Sequence, residues 1–324
     1  MERAISILAT AAVLAQAGAP WRIPLSDLRL IRDYENFVYA VTIRGQAAVL
    51  RMTHTSHRSH ADLAAELAFI QDAAAAGLPV CQPIASDAGR LIEPNGACFH
   101  VCCFIYAAGE RASWRTPLIW QDRTFTAWGA TLARMHRFSA ATGGVRRWAR
   151  MRWDEDDVTR GAYLPACDAD IQARLQDVIA QCRTLPATPE DFGLIHGDVH
   201  QGNFHVDRDG ALQLFDFDDA CYHWFLYDLS VVFYHLPAGE AEAPPRPSRT
   251  AIISTILAGY QSQRALPQDA GAQLQLFLLL RDLQIYQSIF KKTAPEDRSA
   301  DWQRDAAVIA ERIRARRPVL ALPI

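Results

Sequence analysis

What this sequence has little of narrows it first. It carries almost no surplus of either charge: 33 Lys and Arg against 36 Asp and Glu leave a formal net charge of −3. A domain-scale basic block of the kind that binds duplex nucleic acid is missing, so nucleic acid is not an expected partner. Paired cysteine spacing is also missing. The seven cysteines stand at 81, 98, 102, 103, 167, 182 and 221 without a Cys-x-x-Cys pair, which indicates neither a metal frame nor a disulfide scaffold and fits reduced thiols in a cytoplasmic protein. Vicinal Cys102 and Cys103 lie in Phe99–Ile105, where they read as small apolar residues of a buried strand. No apolar run is long enough to span a bilayer, because Arg281 and Asp282 interrupt the best candidate, Leu276–Ile289. The run Ala4–Ala15 has a poor basic zone, with Arg3 offset by Glu2, and is broken by Ser6 and Thr10. An amphipathic first helix is expected there in place of a secretory signal, and no membrane partner is expected.

What is present suits two core-bearing units in 324 residues, half of them hydrophobic. The expected fold class is α+β. Residues 1–107 read as a small antiparallel sheet with strands at Leu28–Ile31, Phe37–Ile43, Ala47–Met52, Arg90–Ile92 and Phe99–Phe104, plus a helix over Ala61–Ala76 closed by Gly77. Residues 108–324 read as mainly helical. Helices are expected at Trp120–Ser139, Ala169–Cys182, Trp224–Leu236, Thr250–Arg264, Ala270–Phe290 and Ala300–Arg316, with a Gly-Gly break at 143–144 and an exposed loop over Pro237–Arg249. A strand at Phe192–Ile195 and a hairpin of Phe204–Val206 with Leu212–Phe215 across Asp209-Gly210 interrupt them.

Chemistry concentrates at two strand ends, in His196-Gly-Asp-Val-His-Gln-Gly-Asn203 and in Phe215-Asp-Phe-Asp-Asp219. A carboxylate, an amide five residues on and a second carboxylate beyond a short strand suit metal-assisted phosphoryl transfer. Asp198 is the candidate base that orients a hydroxyl, and Asn203 with Asp216 offers hard oxygen ligands for Mg2+. His196 reads as an anchor of its loop, while His200 and Gln201 are either substrate contacts or loop surface. His54, His57 and His60 lack the company of a zinc site and are expected on a solvated turn. In Arg146–Trp153, the Trp residues are expected to pack the core and the Arg residues to pair with Asp154–Asp157. Arg281 and Asp282 read as a mutual salt link or as substrate contacts.

The motif at 196–203, Phe-Asp-Phe-Asp-Asp at 215–219 and Tyr-Asp-Leu at 227–229 together resemble the aminoglycoside phosphotransferase and choline kinase superfamily, nearest its bacterial type II homoserine kinase-like and stress-response kinase-like branch. The resemblance implies a protein-kinase-like two-lobe fold and transfer of the γ-phosphate of ATP, with Mg2+, to a hydroxyl of a small acceptor such as an amino alcohol, amino acid, sugar or aminoglycoside. It implies Asp198 as base, Asn203 and Asp216 as metal ligands, and Asp228 as a buried brace. Arg51 falls where the family has its strand lysine, with Glu66 as ion-pair partner, and Phe104-Ile-Tyr106 resembles the segment that binds adenine. The Arg32–Tyr39 segment stands in place of the phosphate-covering loop without its glycines. Asp218, Asp219 and Arg281 fall on the acceptor side, and the carboxylates Asp218, Asp219 and Asp154–Asp157 either form an acidic rim that suits a cationic acceptor or bind metal and neighbouring Arg residues. Two other readings stay open: a protein Ser/Thr kinase, against which the missing Ala-Pro-Glu motif counts, and a catalytically silent nucleotide-binding protein.

Overall fold

Along Phe37–Ile43, residues 37, 39, 41 and 43 are buried and those between them are not, the period of a strand with one face on a core. The computed structural model describes residues 5, 7–142, 146–237, 246–293 and 295–324. The Gly-Gly break and most of the expected 237–249 loop lie outside the described residues, as does the start of the expected first helix. The chain divides into two compact units, one holding residues up to Ala108 together with Gln213–Asp218, the other Gly109–Leu212 together with Asp219–Ile324.

In the first unit, β1 (Arg29–Asp33), β2 (Phe37–Ile43) and β3 (Gln46–His54) form an antiparallel meander. β4 (Pro83–Ile84) and β5 (Glu93–Asn95) each pair with β6 (Phe99–Ile105), which lies beside β3. The sheet therefore has six strands where five are expected. Pro83 hid the extra one, since proline is confined to edges and β4 is an edge. The strand expected at Arg90–Ile92 falls at Glu93–Asn95 because Ser86 and Arg90 close a turn: Ser86 N–H donates to the Arg90 carbonyl at 2.8 Å, and Arg90 N–H to Ser86 Oγ at 3.2 Å. Trp21, Tyr39, Leu50, Met52 and Val101 fill the core under the sheet, with Val13 and Leu14 of the first helix packed against it.

The helix α1 (Ala11–Gly18) starts where Thr10 Oγ1 accepts from Val13 N–H. α2 (His60–Ala75) opens on a capping box in which Ser59 Oγ accepts from Asp62 N–H and Asp62 accepts from Ser59 N–H.

The second unit is mainly helical. In chain order it holds β7 (Glu110–Arg111), α3 (Asp122–Ala140), α4 (Ala169–Thr184), β8 (Phe192–Ile195) and β9 (Phe204–Val206). After β10 (Leu212–Leu214) come β11 (Cys221–Trp224), α5 (Phe225–Tyr234), α6 (Arg249–Gln261), α7 (Ala270–Lys292) and α8 (Ala300–Arg314). The architecture is α+β. α3 and α6 touch backbone to backbone. A Cβ added at Gly129 would lie 1.9 Å from the Ile256 carbonyl, and one at Gly259 2.1 Å from that of Thr126, so both sites require glycine. Cys221–Trp224 is a strand paired with β8 that the sequence did not mark, and the helix expected from Trp224 begins one residue later, at Phe225. The strand's aromatic and β-prone residues take the partner that β8 provides.

Trp148 and Trp153 are buried, and Arg152 pairs with Asp154. Arg150, also buried, donates instead to the Ala220 carbonyl at 2.7 Å. All seven cysteines are free, and burial pushes the Cys102 thiol up to about 12. Among the described residues no helix is long and apolar enough to cross a membrane.

Candidate active site

The loop after β8 is held from beneath by a buried carboxylate. Asp228, in the first turn of α5, accepts the backbone N–H of His196 at 3.0 Å and of Gly197 at 2.9 Å. Its Oδ2 also takes His136 Nε2 of α3 at 3.1 Å, while His136 Nδ1 lies 2.9 Å from Tyr260 Oη. Burial, opposed by Asp228, lowers the His136 pKa. The neutral ring thus donates through Nε2 and accepts the Tyr260 hydroxyl through Nδ1. Gly197 turns the chain at φ 82°, where a Cβ would meet the Asp219 carbonyl at 2.3 Å, so the loop needs glycine at this point.

Asp198 stands on this support. Its Oδ1 accepts Arg281 Nη2 at 2.6 Å, and its Oδ2 faces Asn203 Nδ2 at 3.2 Å and His200 Nε2 at 3.3 Å. Asn203 Nδ2 also donates to the Asp198 carbonyl at 2.8 Å, and His200 Nδ1 accepts Gly202 N–H at 2.9 Å. Burial would raise the Asp198 pKa, but the His200 hydrogen bond and the Arg281 charge hold it well below the usual carboxylate range. His235 Nε2 lies 3.2 Å from Arg281 Nη2. Burial, with the Arg281 charge, drives its pKa down to about 3, so the ring is neutral and accepts.

Arg281 and Asp282 do not pair with each other. Consecutive helix residues diverge: Arg281 turns to Asp198, whereas Asp282 accepts Tyr234 Oη at 2.8 Å and Arg312 Nε at 2.9 Å. Sequence reasoning missed His235, which no local pattern marks.

In the first unit Arg51 and Glu66 form a buried fork, with Nη1–Oε1 at 2.8 Å and Nη2–Oε2 at 2.6 Å. The guanidinium lies 5.0 Å from the Phe104 ring centroid. Burial would lower the Arg51 pKa, but Glu66 raises it well above the ordinary value. Tyr106 is exposed, and its N–H donates to the Ala47 carbonyl at 3.2 Å. Asp216 adopts φ 65°, a left-handed conformation that Asp tolerates better than most residues and that clusters at functional loops. Its Oδ2 lies 3.8 Å from Arg32 Nη1.

Asp218 is buried, with Oδ2 2.6 Å from His57 Nε2 and its carbonyl 3.2 Å from Arg58 Nε. Burial would raise its carboxyl pKa, but Arg58, His57 and Arg51 hold it well below the usual range. His57 is therefore not on a solvated turn as expected. The three histidines go separate ways: His54 Nδ1 to Ser56 Oγ at 2.7 Å, His57 to Asp218, and His60 beside the His100 ring. Of the expected acidic rim Asp157 and Asp219 are exposed, while Asp218 is buried and Asp154 and Asp156 are half-buried. Asp154 meets Arg152 and Arg183, and Asp156 caps the N–H groups of Val158 and Thr159.

Residues 27–277 match the phosphotransferase enzyme family (APH). The chain is 28% identical over 232 residues to amicoumacin kinase of Bacillus subtilis (strain 168), a stretch covering 69% of this chain and 67% of that protein. A solved amicoumacin kinase in complex with AMP-PNP, Ca2+ and Ami gives a TM-score of 0.88 at 27% identity over 99% of this chain and 98% of the other. A microcompartment-associated aminopropanol kinase gives 0.74 at 21% identity over 94% and 96%, a likeness of fold.

Proposed function

The chain belongs to the phosphotransferase enzyme family, and from that premise we propose that it is an ATP- and Mg2+-dependent kinase acting on a hydroxyl of a small cytoplasmic metabolite. The observation that carries the reading is Asp198, an ionised carboxylate on a loop fixed by Asp228. A hydroxyl hydrogen-bonded to Asp198 Oδ2 is aligned for attack and gives up its proton there as its oxygen bonds to the γ-phosphorus.

Asn203 spends its amide nitrogen on Asp198, which leaves Oδ1 as its ligand atom, and Asp216 keeps a carboxylate with a side chain 33% exposed. These are hard oxygen donors of the kind Mg2+ prefers. A bound Mg2+ supplies neutralisation of charge on the phosphate oxygens. Arg51, oriented by Glu66, is the proposed phosphate contact, and the Phe104–Tyr106 backbone the proposed adenine edge. Since the Tyr106 N–H is spent on Ala47, its carbonyl and its neighbours carry that contact. On the acceptor side we place Arg281 and the exposed Asp219, while Asp218 serves to hold His57 and Arg58.

The names of the amicoumacin kinase relatives favour a small acceptor over a protein. Labelled ATP incubated with cell extract is expected to leave label in the small-molecule fraction, and Asp198→Ala to abolish it while AMP-PNP with Mg2+ still raises the melting temperature. Unchanged transfer by Asp198→Ala would sink the assignment, and label confined to protein would favour the protein-kinase reading.

A further inference from the structure

The groups that meet Asp198 within its own unit are donors: Arg281, Asn203 and His200, with His235 behind Arg281. Three buried or half-buried carboxylates of the same unit are already matched by cations of their own. Asp282 is taken by Arg312 and Tyr234, Asp168 by Arg314 and Tyr286, and Asp154 by Arg152 and Arg183. We propose that Arg281 sets the acceptor class, selecting a small molecule that carries a carboxylate or carboxamide oxygen beside the reacting hydroxyl and rejecting an ammonium group at that position. The inference rests on the kinase reading above.

The chemistry asks for such a group. The acceptor proton passes to Asp198 Oδ2, the hydroxyl oxygen bonds to the γ-phosphorus, and the bridging P–O bond breaks with its electron pair leaving on ADP. Once protonated, Asp198 no longer compensates Arg281, whose side chain is only 14% exposed. A desolvated cation that has lost its anionic partner is costly, and an acceptor oxygen restores negative charge or dipole there. Guanidinium offers five donors in a fixed fork, so the contact to Asp198 and the contact to the acceptor are compatible. An ammonium beside the hydroxyl would face a like charge. An ammonium further along the acceptor has the exposed Asp219 to meet.

The test uses short primary alcohols of matched length ending in carboxylate, carboxamide, methyl or ammonium, with kcat/KM measured for the wild type, Arg281→Gln and Arg281→Lys. The wild type is expected to favour carboxylate and carboxamide over methyl and ammonium by at least about tenfold. Arg281→Gln is expected to erase that ranking. Arg281→Lys, which retains a positive charge opposite Asp198, covers the case in which Arg281→Gln does not fold, and is expected to cut the carboxylate preference about tenfold. Turnover that ranks the ammonium alcohol first overturns the inference and leaves the kinase reading standing. So does an equal loss for every alcohol with the ranking intact, which assigns Arg281 to the transferred phosphate. No turnover on any member overturns both.

Discussion

Asp198 and Arg281, 83 residues apart in sequence, share one close contact at 2.6 Å, while the second carboxylate oxygen stays turned to Asn203 and His200. One oxygen is thus fixed by charge, and the other is the atom proposed to take the hydroxyl. Because Asp198 is held well below the usual carboxylate range, its protonation contributes no acid limb to kcat between about pH 5 and 8. Asp198→Asn is expected to lower kcat by about a hundred- to ten-thousandfold across that range. Steady-state rates against pH check both; an acid limb in the wild type that vanishes in the variant would contradict the first.

Buried neutral histidines set the pH dependence of stability. His235 is lowered from its ordinary 6.5 to about 3, and burial also lowers His136 and His223. The unfolded chain binds these protons below its ordinary pKa while the fold refuses them. Stability is therefore fully present above about pH 6.5 and falls as pH drops toward 3. Denaturant midpoints are expected to decline through that window, and His223→Phe, at a site packed against Tyr227 and Phe277, to flatten the decline. A midpoint that does not move with pH would refute this.

The Arg51–Glu66 fork is buried on both sides, with side-chain exposures of 6% and 1%. Glu66→Ala strands a guanidinium in the interior and is expected to cost about 3–5 kcal/mol in urea unfolding. The double replacement Arg51→Met with Glu66→Leu is expected to recover much of that stability. It should still raise the KM for ATP, separating the pair's structural part from its proposed contact with phosphate.

Helix crossing supplies a prediction remote from the chemistry. Gly129→Ala drives a methyl into the Ile256 carbonyl and is expected to destabilise by at least about 1–3 kcal/mol, read as a lower melting temperature. An unchanged melting temperature would mean that α3 and α6 separate freely.

Much of this was legible because it is local. The alternation in Phe37–Ile43, the left-handed glycine at Gly77 that closes a helix and the spacing from Asp198 to Asn203 each depend on near neighbours, and the structure keeps all three. What escaped depends on partners remote in sequence. His57 looked like a turn histidine because Asp218 lies 161 residues away. Arg281 and Asp282 looked like a pair because adjacency in sequence is visible and divergence around a helix is not. The strand Cys221–Trp224 went unmarked because its partner, β8, is remote in sequence.

The segment Gln213–Asp218 belongs to the first unit although the chain has by then built much of the second. Phe217 lies 5.7 Å from the Phe69 ring, and Asp218 takes His57 and Arg58. During synthesis, then, the sheet and α2 emerge from the ribosome before the Phe69–Phe217 and His57–Asp218 contacts can form. Those contacts wait until the polypeptide has been extended past Asp218. Completion of the first unit is deferred to the same stage of translation that delivers the Asp216 loop, so a nascent chain acquires the last segment of that unit and its metal-ligand candidate together.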